Sequence, residues 1–318
     1  MTNENLVFGP IPSRRLGKSL GINNIPHKTC SYSCAYCQVG KAEKMQCHRQ
    51  EFYHPALLAE QVEKRLNSLT GNEYPDFITL VPDGEPTLDI HLGELILNLK
   101  MFGIPVAVIT NGSLITDASV RADLLNADYI SIKVDSVIRS TWKKINKPHK
   151  DLNLDEILKA AFSFSKIFRG KLVTETMLIK GLNDNNSELE SVADYLSQVV
   201  PDTAYIAIPT RPVPYSGILP ADDVDITAAW MIFNDQHLTT EFLTGYEGNA
   251  FSSTGNFDKD LLSITAVHPL RHDAVEELME QTGAHKTDLN RLINTGLIRK
   301  TIYNNQIFYL RNFKKRAS

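Results

Sequence analysis

Between about residues 20 and 245, short apolar runs alternate with longer stretches in which apolar residues recur every three or four positions. The short runs are rich in Val, Ile, Thr and Tyr, which is typical of strands. Several are apolar almost throughout, as parallel strands covered on both faces require. The predicted strands cover residues 19–25, 77–82, 105–110, 129–134, 172–179 and 204–208.

The longer stretches between these runs have the periodicity of amphipathic helices. Examples are residues 56–69, 119–126, 154–168 and 188–199. Repeated strand–helix units imply a parallel sheet with right-handed crossovers, either open or closed into a barrel. In a β/α barrel the polar segments that follow the strands form the active face, so we expect these segments to converge.

After a loop near residues 251–256 the pattern changes. Residues 261–267, 272–281 and 286–295 have helical periodicity, and residues 298–303 and 306–310 predict a hairpin around Asn304 and Asn305. This order predicts a winged helix over residues 256–318. That segment carries 10 Lys and Arg against 7 Asp and Glu, and six basic residues with no acidic one follow from Arg299 onward. The asymmetry permits a nucleic-acid contact, although a domain that binds protein or only packs is equally compatible.

Composition narrows the class of protein. The 318 residues are 42% hydrophobic and 22% charged, which is enough apolar sequence for a full core. A net charge of −4 identifies no polyanion-binding protein. No apolar run approaches the ~18 residues of a membrane helix, and residues 1–10 lack the pattern of a secretion signal, so we expect a cytoplasmic protein with no membrane partner.

Three of the four cysteines lie within eight residues, at the spacing C-x3-C-x2-C: Cys30, Cys34 and Cys37. In a reducing compartment such clustering indicates metal binding or redox chemistry. Thiolates select zinc or iron–sulfur centres. A zinc site would need a fourth ligand, which Cys47, His48 or His27 could supply. In a [4Fe–4S] cluster, three thiolates would leave one iron open to another ligand.

This spacing, with an aromatic residue before the last cysteine, resembles the motif of radical S-adenosylmethionine (radical SAM) enzymes. The resemblance implies that Cys30, Cys34 and Cys37 hold a [4Fe–4S] cluster whose open iron is chelated by SAM. An electron from a donor such as flavodoxin or ferredoxin would then cleave SAM to a 5′-deoxyadenosyl radical that abstracts hydrogen from the substrate. The implied fold is α/β, a partial (β/α)6 TIM-like barrel over residues 1–250.

The resemblance also implies positions for SAM. Gly84-Glu85-Pro86 is similar to the segment that receives the SAM ammonium, although Asp83 stands where the family often has its first glycine. Zinc remains the alternative for the cysteines. The other implied SAM contacts are Tyr36, Asn111, Lys133, Asp135, Thr176, Met177 and Ile208.

Residues 8–22, with Lys28-Thr29-Cys30 and residues 84–88, resemble a branch related to wyosine-type tRNA-modifying radical SAM enzymes. The favoured substrate is therefore a macromolecule, RNA first. One alternative is an activase that installs a radical on a partner protein, and another is a non-enzymatic metal-dependent regulator that binds DNA. Wyosine synthases are thought to use further cysteines for a second cluster; this chain has only Cys47 left, and its role stays open.

Overall fold

The structure is a computed structural model that describes residues 6–245, 248–249, 251 and 253–312. The basic residues Lys314, Lys315 and Arg316, half of those counted from Arg299 onward, lie outside the described residues. None of the described helices is both long enough and apolar enough to cross a bilayer.

Strands and helices alternate through the first three quarters of the chain. The strands are β1 (Val7–Ser13), β2 (Gly17–Ile22), β3 (Thr29–Cys30), β4 (Lys44–Met45), β5 (Phe77–Leu80), β6 (Val106–Thr110), β7 (Tyr129–Lys133), β8 (Lys171–Met177), β9 (Thr203–Ala207), β10 (Thr240–Leu243), β11 (Leu270–Arg271), β12 (Ile298–Tyr303) and β13 (Gln306–Arg311). The α-helices are α1 (Pro55–Leu66), α2 (Leu92–Lys100), α3 (Ala118–Leu124), α4 (Arg139–Asn146), α5 (Leu154–Ser165), α6 (Asn186–Val199), α7 (Asp223–Asp235), α8 (Phe257–Val267), α9 (His272–Thr282) and α10 (Lys286–Asn294).

Within the described residues, one curled sheet of eight strands has the order β1-β2-β5-β6-β7-β8-β9-β10. From β2 to β10 every neighbouring pair is parallel, and β1 is added antiparallel to β2. The α/β class and the partial barrel predicted from sequence are confirmed. The structure adds β1 and β10 at the two edges of the six predicted strands.

Alternate strand residues face two different cores. Ile130, Leu172 and Ile206 belong to the large core that the strands share with the helices. Their neighbours Tyr129, Val173 and Tyr205 belong to a separate cluster, which fills the interior of the barrel. The predicted parallel strands therefore bury both faces, which explains their nearly continuous apolar sequences.

The turn between β1 and β2 links the two edges of the sheet. The Arg14 guanidinium donates hydrogen bonds to the carbonyl oxygen of Leu243, at the end of β10, and to that of Gly245 at 3.2 Å. Since β1 and β10 are the outer strands, these bonds span the lateral opening of the partial barrel.

The last part of the chain has the element order α8, β11, α9, α10, β12, β13, with a three-stranded sheet in the order β11-β13-β12. The predicted helices and hairpin are present here. Their apolar residues form a core of their own, which also includes Phe8 and Ile11 of β1. The assignment as a winged helix and the division at residues 250 and 256 stay predictions.

Candidate active site

The loop after β2 brings three thiols to the end of the sheet where the parallel strands finish. Cys30 ends β3, which pairs with β4, and Cys34 and Cys37 lie in the turn that follows, closed by a bond from the Cys37 amide to the Cys34 carbonyl at 3.1 Å. The Asn111 side chain donates to Cys30 Sγ at 3.6 Å, and that of Asn146 donates to Cys34 Sγ at 3.6 Å. The loop is thereby tied to the ends of β6 and α4.

The three thiols affect one another electrostatically. Burial, followed by the charge of Glu85 and that of Cys34, raises the pKa of Cys30. Burial and the Asp135 carboxylate raise the pKa of Cys34 to about 12, and burial raises the pKa of Cys37. The thiols are therefore protonated at neutral pH without a cation. A bound metal reverses this preference, because ligating thiols are deprotonated.

Glu85 lies beside this loop, five residues after the end of β5, and is buried with 1% of its surface exposed. Its Oε1 accepts hydrogen bonds from the Thr87 amide at 3.0 Å, the Thr87 hydroxyl at 2.5 Å and the Thr110 hydroxyl at 2.6 Å. Its Oε2 accepts from the Asn111 amide at 2.8 Å. Burial raises the pKa of Glu85, although these hydrogen bonds favour the charged form.

Gly84 allows the Glu85 backbone to approach the thiol loop. The Glu85 amide donates to the Thr29 carbonyl at 3.2 Å. A Cβ at position 84 would lie 2.0 Å from that carbonyl oxygen, so no other residue fits without moving the loop. Pro86 begins the short 3-10 helix Pro86–Leu88, with Glu85 as its N-cap. The local sequence thus presents the carboxylate beside Cys30.

Asp135 joins the thiol loop to two other elements. It accepts hydrogen bonds from the Tyr36 hydroxyl, from the Asn146 side chain at 2.6 Å and from the Met177 amide at 2.9 Å. Asn183 donates to the Asp135 carbonyl at 2.7 Å. Asn146 therefore contacts both Asp135 and Cys34, so this network supports the loop directly.

A charged trio lies at the end of the barrel interior nearest the loop. Lys133 and Arg15 both form ion pairs with Glu175, and Lys133 lies over the Tyr36 ring, 5.4 Å from its centroid. Burial opposes the charge of Glu175, but Lys133 and Arg15 outweigh it and hold its pKa below the usual range. In return Glu175 and Asp135 outweigh burial and raise the pKa of Lys133.

The remaining predicted SAM contacts, Thr176, Met177 and Ile208, lie on β8 and just after β9. The Thr176 hydroxyl donates to the Val134 carbonyl at 2.9 Å, which holds β8 against β7. Met177 contacts the barrel interior and also the cluster of Tyr36, Ile145 and Ile179. Ile208, after β9, packs against the large core.

A cavity of about 160 Å³ opens between the β1–β2 turn, the thiol loop and the start of the C-terminal elements. Arg14, Arg15 and Arg211 line it together with Gln38 and His268, and no carboxylate is among its described lining residues. Gln38 accepts from the Arg211 guanidinium and donates to the Val267 carbonyl at 2.9 Å. The cavity is thus cationic and is closed on one side by α8.

The match to a family model decides the identity of this arrangement. Residues 24–196, which include the thiol loop, Glu85 and β5 to β8, match the model of the radical SAM superfamily. The chain belongs to the radical SAM superfamily. A UPF0026 protein of Methanocaldococcus jannaschii is 42% identical over 313 residues, covering 98% of this chain and 97% of that protein.

Solved structures share the fold. A radical SAM methyltransferase from Sphaerobacter thermophilus superposes with a TM-score of 0.53 at 14% identity, covering 73% of this chain and 69% of that one. SuiB of Streptococcus suis bound to S-adenosylmethionine gives 0.51 at 16% identity, covering 71% and 51%. Radical SAM proteins are enzymes that use a [4Fe–4S] cluster and SAM, so this chain is an enzyme with those cofactors.

The donor set fits such a cluster better than a single zinc ion. Zinc held by each thiolate at 2.3 Å would bring the sulfurs to about 3.8 Å from one another. Among the described residues, the sulfurs of Cys30, Cys34 and Cys37 do not all lie within 4.8 Å of one another. A cluster of several irons suits three separated thiolates. The three N–H donors at the sulfurs, from Tyr32, Asn111 and Asn146, are also of the kind that tune iron–sulfur centres.

Sequence reasoning missed several residues of this region. Asn146, Asn183 and Glu175 carry its hydrogen bonds and charge, and Arg15 forms an ion pair with Glu175. No local motif identifies these residues, because the fold of the chain, and not their spacing in sequence, brings each one to its partner.

Proposed function

We propose that this radical SAM enzyme binds its cluster through Cys30, Cys34 and Cys37 and receives the SAM ammonium at Glu85. The observation that carries the proposal is the Asn111 bridge: its amide donates to the Glu85 carboxylate and its side chain donates to Cys30. One residue thus links the expected cluster ligand to the expected SAM contact. When bound, the two cofactors supply one-electron cleavage of the sulfonium and hydrogen abstraction from substrate.

The residues of the chain have the following roles in this proposal. Glu85 Oε2 accepts one protein hydrogen bond, and a carboxylate oxygen can accept about two, so it can receive an ammonium donor. Asn111 and Asn146 donate to the thiolates. Asp135 accepts the hydrogen bond of the Tyr36 hydroxyl and so fixes the Tyr36 ring. Lys133, paired with Glu175, lies over that ring. Direct contact with SAM stays a prediction for Tyr36, Asn111, Lys133, Asp135, Thr176, Met177 and Ile208.

For the substrate, we propose an anionic molecule, RNA first. The cationic cavity beside the thiol loop supports an anionic group, since guanidinium groups recognise phosphate and carboxylate. The resemblance of residues 8–22 and 84–88 to the wyosine-related branch supports RNA. The predicted winged helix and the basic residues Lys314, Lys315 and Arg316 also favour a nucleic-acid substrate. A flavodoxin or ferredoxin as electron donor and a cytoplasmic location belong to it as well.

The cofactor part is tested by an anaerobic assay of iron-reconstituted protein with SAM and a strong reductant. Cys34→Ala should lose iron and should form no 5′-deoxyadenosine or methionine, whereas Cys47→Ala should keep its iron as the matched thiol control. Full iron content and SAM cleavage in Cys34→Ala would refute the ligand assignment.

The substrate part is tested by the salt dependence of RNA binding. Two phosphate contacts, by Arg14 and Arg211, predict that affinity for an unstructured RNA falls about 7-fold between 50 and 200 mM salt. Arg211→Gln should make that dependence shallower. The RNA proposal is refuted if RNA does not bind or binds with no salt dependence. If a partner protein then stimulates SAM cleavage, the activase alternative replaces it.

A further inference from the structure

A second group of metal-ligating side chains lies outside the thiol loop. Cys47 and His48 follow β4, and Asp151 lies in the loop between α4 and α5. One ligand atom of each, the Cys47 sulfur, a His48 ring nitrogen and an Asp151 carboxylate oxygen, lies within 4.8 Å of the other two. His149 Nδ1 is 3.4 Å from Cys47 Sγ and 3.6 Å from Asp151 Oδ2. We call these four residues the Cys47 site.

The Cys47 site is built on backbone that also supports the thiol loop. The Gln46 amide donates to the Cys30 carbonyl at 3.1 Å, and the His149 amide donates to the Ser31 carbonyl at 2.8 Å. A bridge between Tyr32 and Pro148 adjoins the second of these contacts. The two segments of the site are about a hundred residues apart in sequence, and each is fixed to the loop on its own side.

The side chains do not form a nucleophilic triad. In such a triad the thiol and the carboxylate contact opposite nitrogens of the imidazole. Here Cys47 and Asp151 both approach Nδ1 of His149. A carboxylate facing a thiol is instead an arrangement that a cation would favour.

We propose that Cys47, His48 and Asp151 bind one zinc ion, with His149 in reach to complete four ligands. Sulfur, imidazole nitrogen and carboxylate oxygen are the three ligand types that zinc accepts, and their close spacing suits one ion. The spacing of these atoms, unlike that of Cys30, Cys34 and Cys37, matches a single metal. Bound zinc would connect β4 to the α4–α5 loop and so hold both segments that support the thiol loop.

Zinc titration of the chelator-treated, full-length protein tests this proposal, with zinc chloride as the probe and zinc per chain as the readout. One equivalent should bind to the wild type and to the triple variant Cys30→Ala, Cys34→Ala, Cys37→Ala. Cys47→Ala should weaken binding at least about tenfold, and Asp151→Asn, at an exposed position, should weaken it in the same direction with the fold intact. Cobalt(II) in place of zinc should give a sulfur-to-metal charge-transfer band that disappears in Cys47→Ala.

The proposal fails if the wild type binds no zinc, or if Cys47→Ala and Asp151→Asn bind it as the wild type does. It also fails if zinc is lost in the triple variant, because the ion would then belong to the thiol loop. Circular dichroism of each variant excludes unfolding as the cause of a loss. The triple variant lacks all three thiols of the loop, so zinc bound to it cannot be held by Cys30, Cys34 or Cys37. The result therefore does not depend on the cofactor assignments above.

Discussion

At the residue scale, Glu85 carries the clearest chemical expectation. Its carboxylate is buried beside Cys30 and accepts four hydrogen bonds: two from Thr87 of the 3-10 helix, one from Thr110 at the end of β6 and one from Asn111 just after it. Three of these converge on Oε1, which leaves Oε2 as the oxygen with acceptor capacity for a ligand. The hydrogen bonds fix the carboxylate in place before any ligand arrives.

Replacing this carboxylate by an amide should weaken SAM binding. Glu85→Gln removes the negative charge but keeps the size of the side chain, and a hydrogen bond to a charged group contributes about 1.5–3 kcal/mol. We therefore expect the dissociation constant for SAM to rise about 10- to 150-fold, measured by equilibrium binding to reconstituted protein. The melting temperature serves as the folding control. Unchanged SAM affinity in a folded variant would exclude Glu85 as the ammonium acceptor.

The raised pKa of Glu85 gives the same interaction a pH dependence. An ammonium binds the charged carboxylate, so at a pH below the raised pKa part of the binding energy is spent on removing a proton. SAM affinity should therefore increase as the pH rises from the ordinary glutamate value of 4.5 toward neutrality, and then level off. In Glu85→Gln this part of the pH profile should be flat. A wild-type profile identical to that of the variant would contradict the assignment.

At the element scale, the β1–β2 turn has a role that strand pairing alone does not provide. Arg14 connects this turn to the end of β10, so one side chain spans the open side of the sheet. Strand β10 is an edge strand whose pairing within the sheet is to β9. Edge strands have lower local stability, since one side of their backbone lacks a neighbouring strand.

Loss of the Arg14 guanidinium should therefore loosen β10 selectively. In Arg14→Gln we expect amide hydrogen exchange to increase in β10 and to remain unchanged in the central strand β6. Lys64→Gln is the matched control, because Lys64 is 71% exposed and, among the described residues, forms its ion pair with Glu60 one turn away on α1. Equal exchange of β10 in both variants would show that the Arg14 bonds do not stabilise this edge.

At the scale of the whole molecule, the large core of the barrel and the core of the C-terminal elements meet at β1. Phe8 is 4% exposed and belongs to the C-terminal core, although β1 is part of the barrel sheet. Its ring lies over Gly21 of β2, where an added Cβ would come within 2.1 Å of it. The Phe8 ring therefore joins the sheet to α8 and the elements that follow.

Removing this ring should destabilise both parts of the molecule. Phe8→Ala should lower the free energy of unfolding by about 3–5 kcal/mol, as is usual for a buried phenylalanine. Hydrogen exchange should also increase in α8. In the control Phe162→Ala, at an exposed position where the ring contacts Lys166, the loss should be below about 1 kcal/mol. Unchanged exchange in α8 would show that the C-terminal elements do not depend on β1.

The sequence predicts the elements whose signals are local. The central strands are apolar runs and the helices have a three- to four-residue period, so the predicted bounds of β5 to β9 agree with the structure to within three residues. It misses β1, whose Gly9, Pro10 and Pro12 lower its strand propensity. It also misses β10, in which Glu241 and Phe242 are exposed because the strand lies at an edge. In both cases the segment becomes a strand because it pairs with its neighbour in the sheet, and its own sequence does not predict this.

The sequence by itself indicated the family, because the C-x3-C-x2-C spacing of Cys30, Cys34 and Cys37 and the Gly84-Glu85-Pro86 segment are local motifs. Only the tertiary structure decided which distant side chains join them. Asn146 reaches Cys34 across 112 positions, and Cys47 reaches His149 across 102. Such contacts follow from the order of strands in the sheet and from the loops packed at its carboxyl end. No local pattern of residues records that order, so the supporting network and the Cys47 site become visible only in the folded chain.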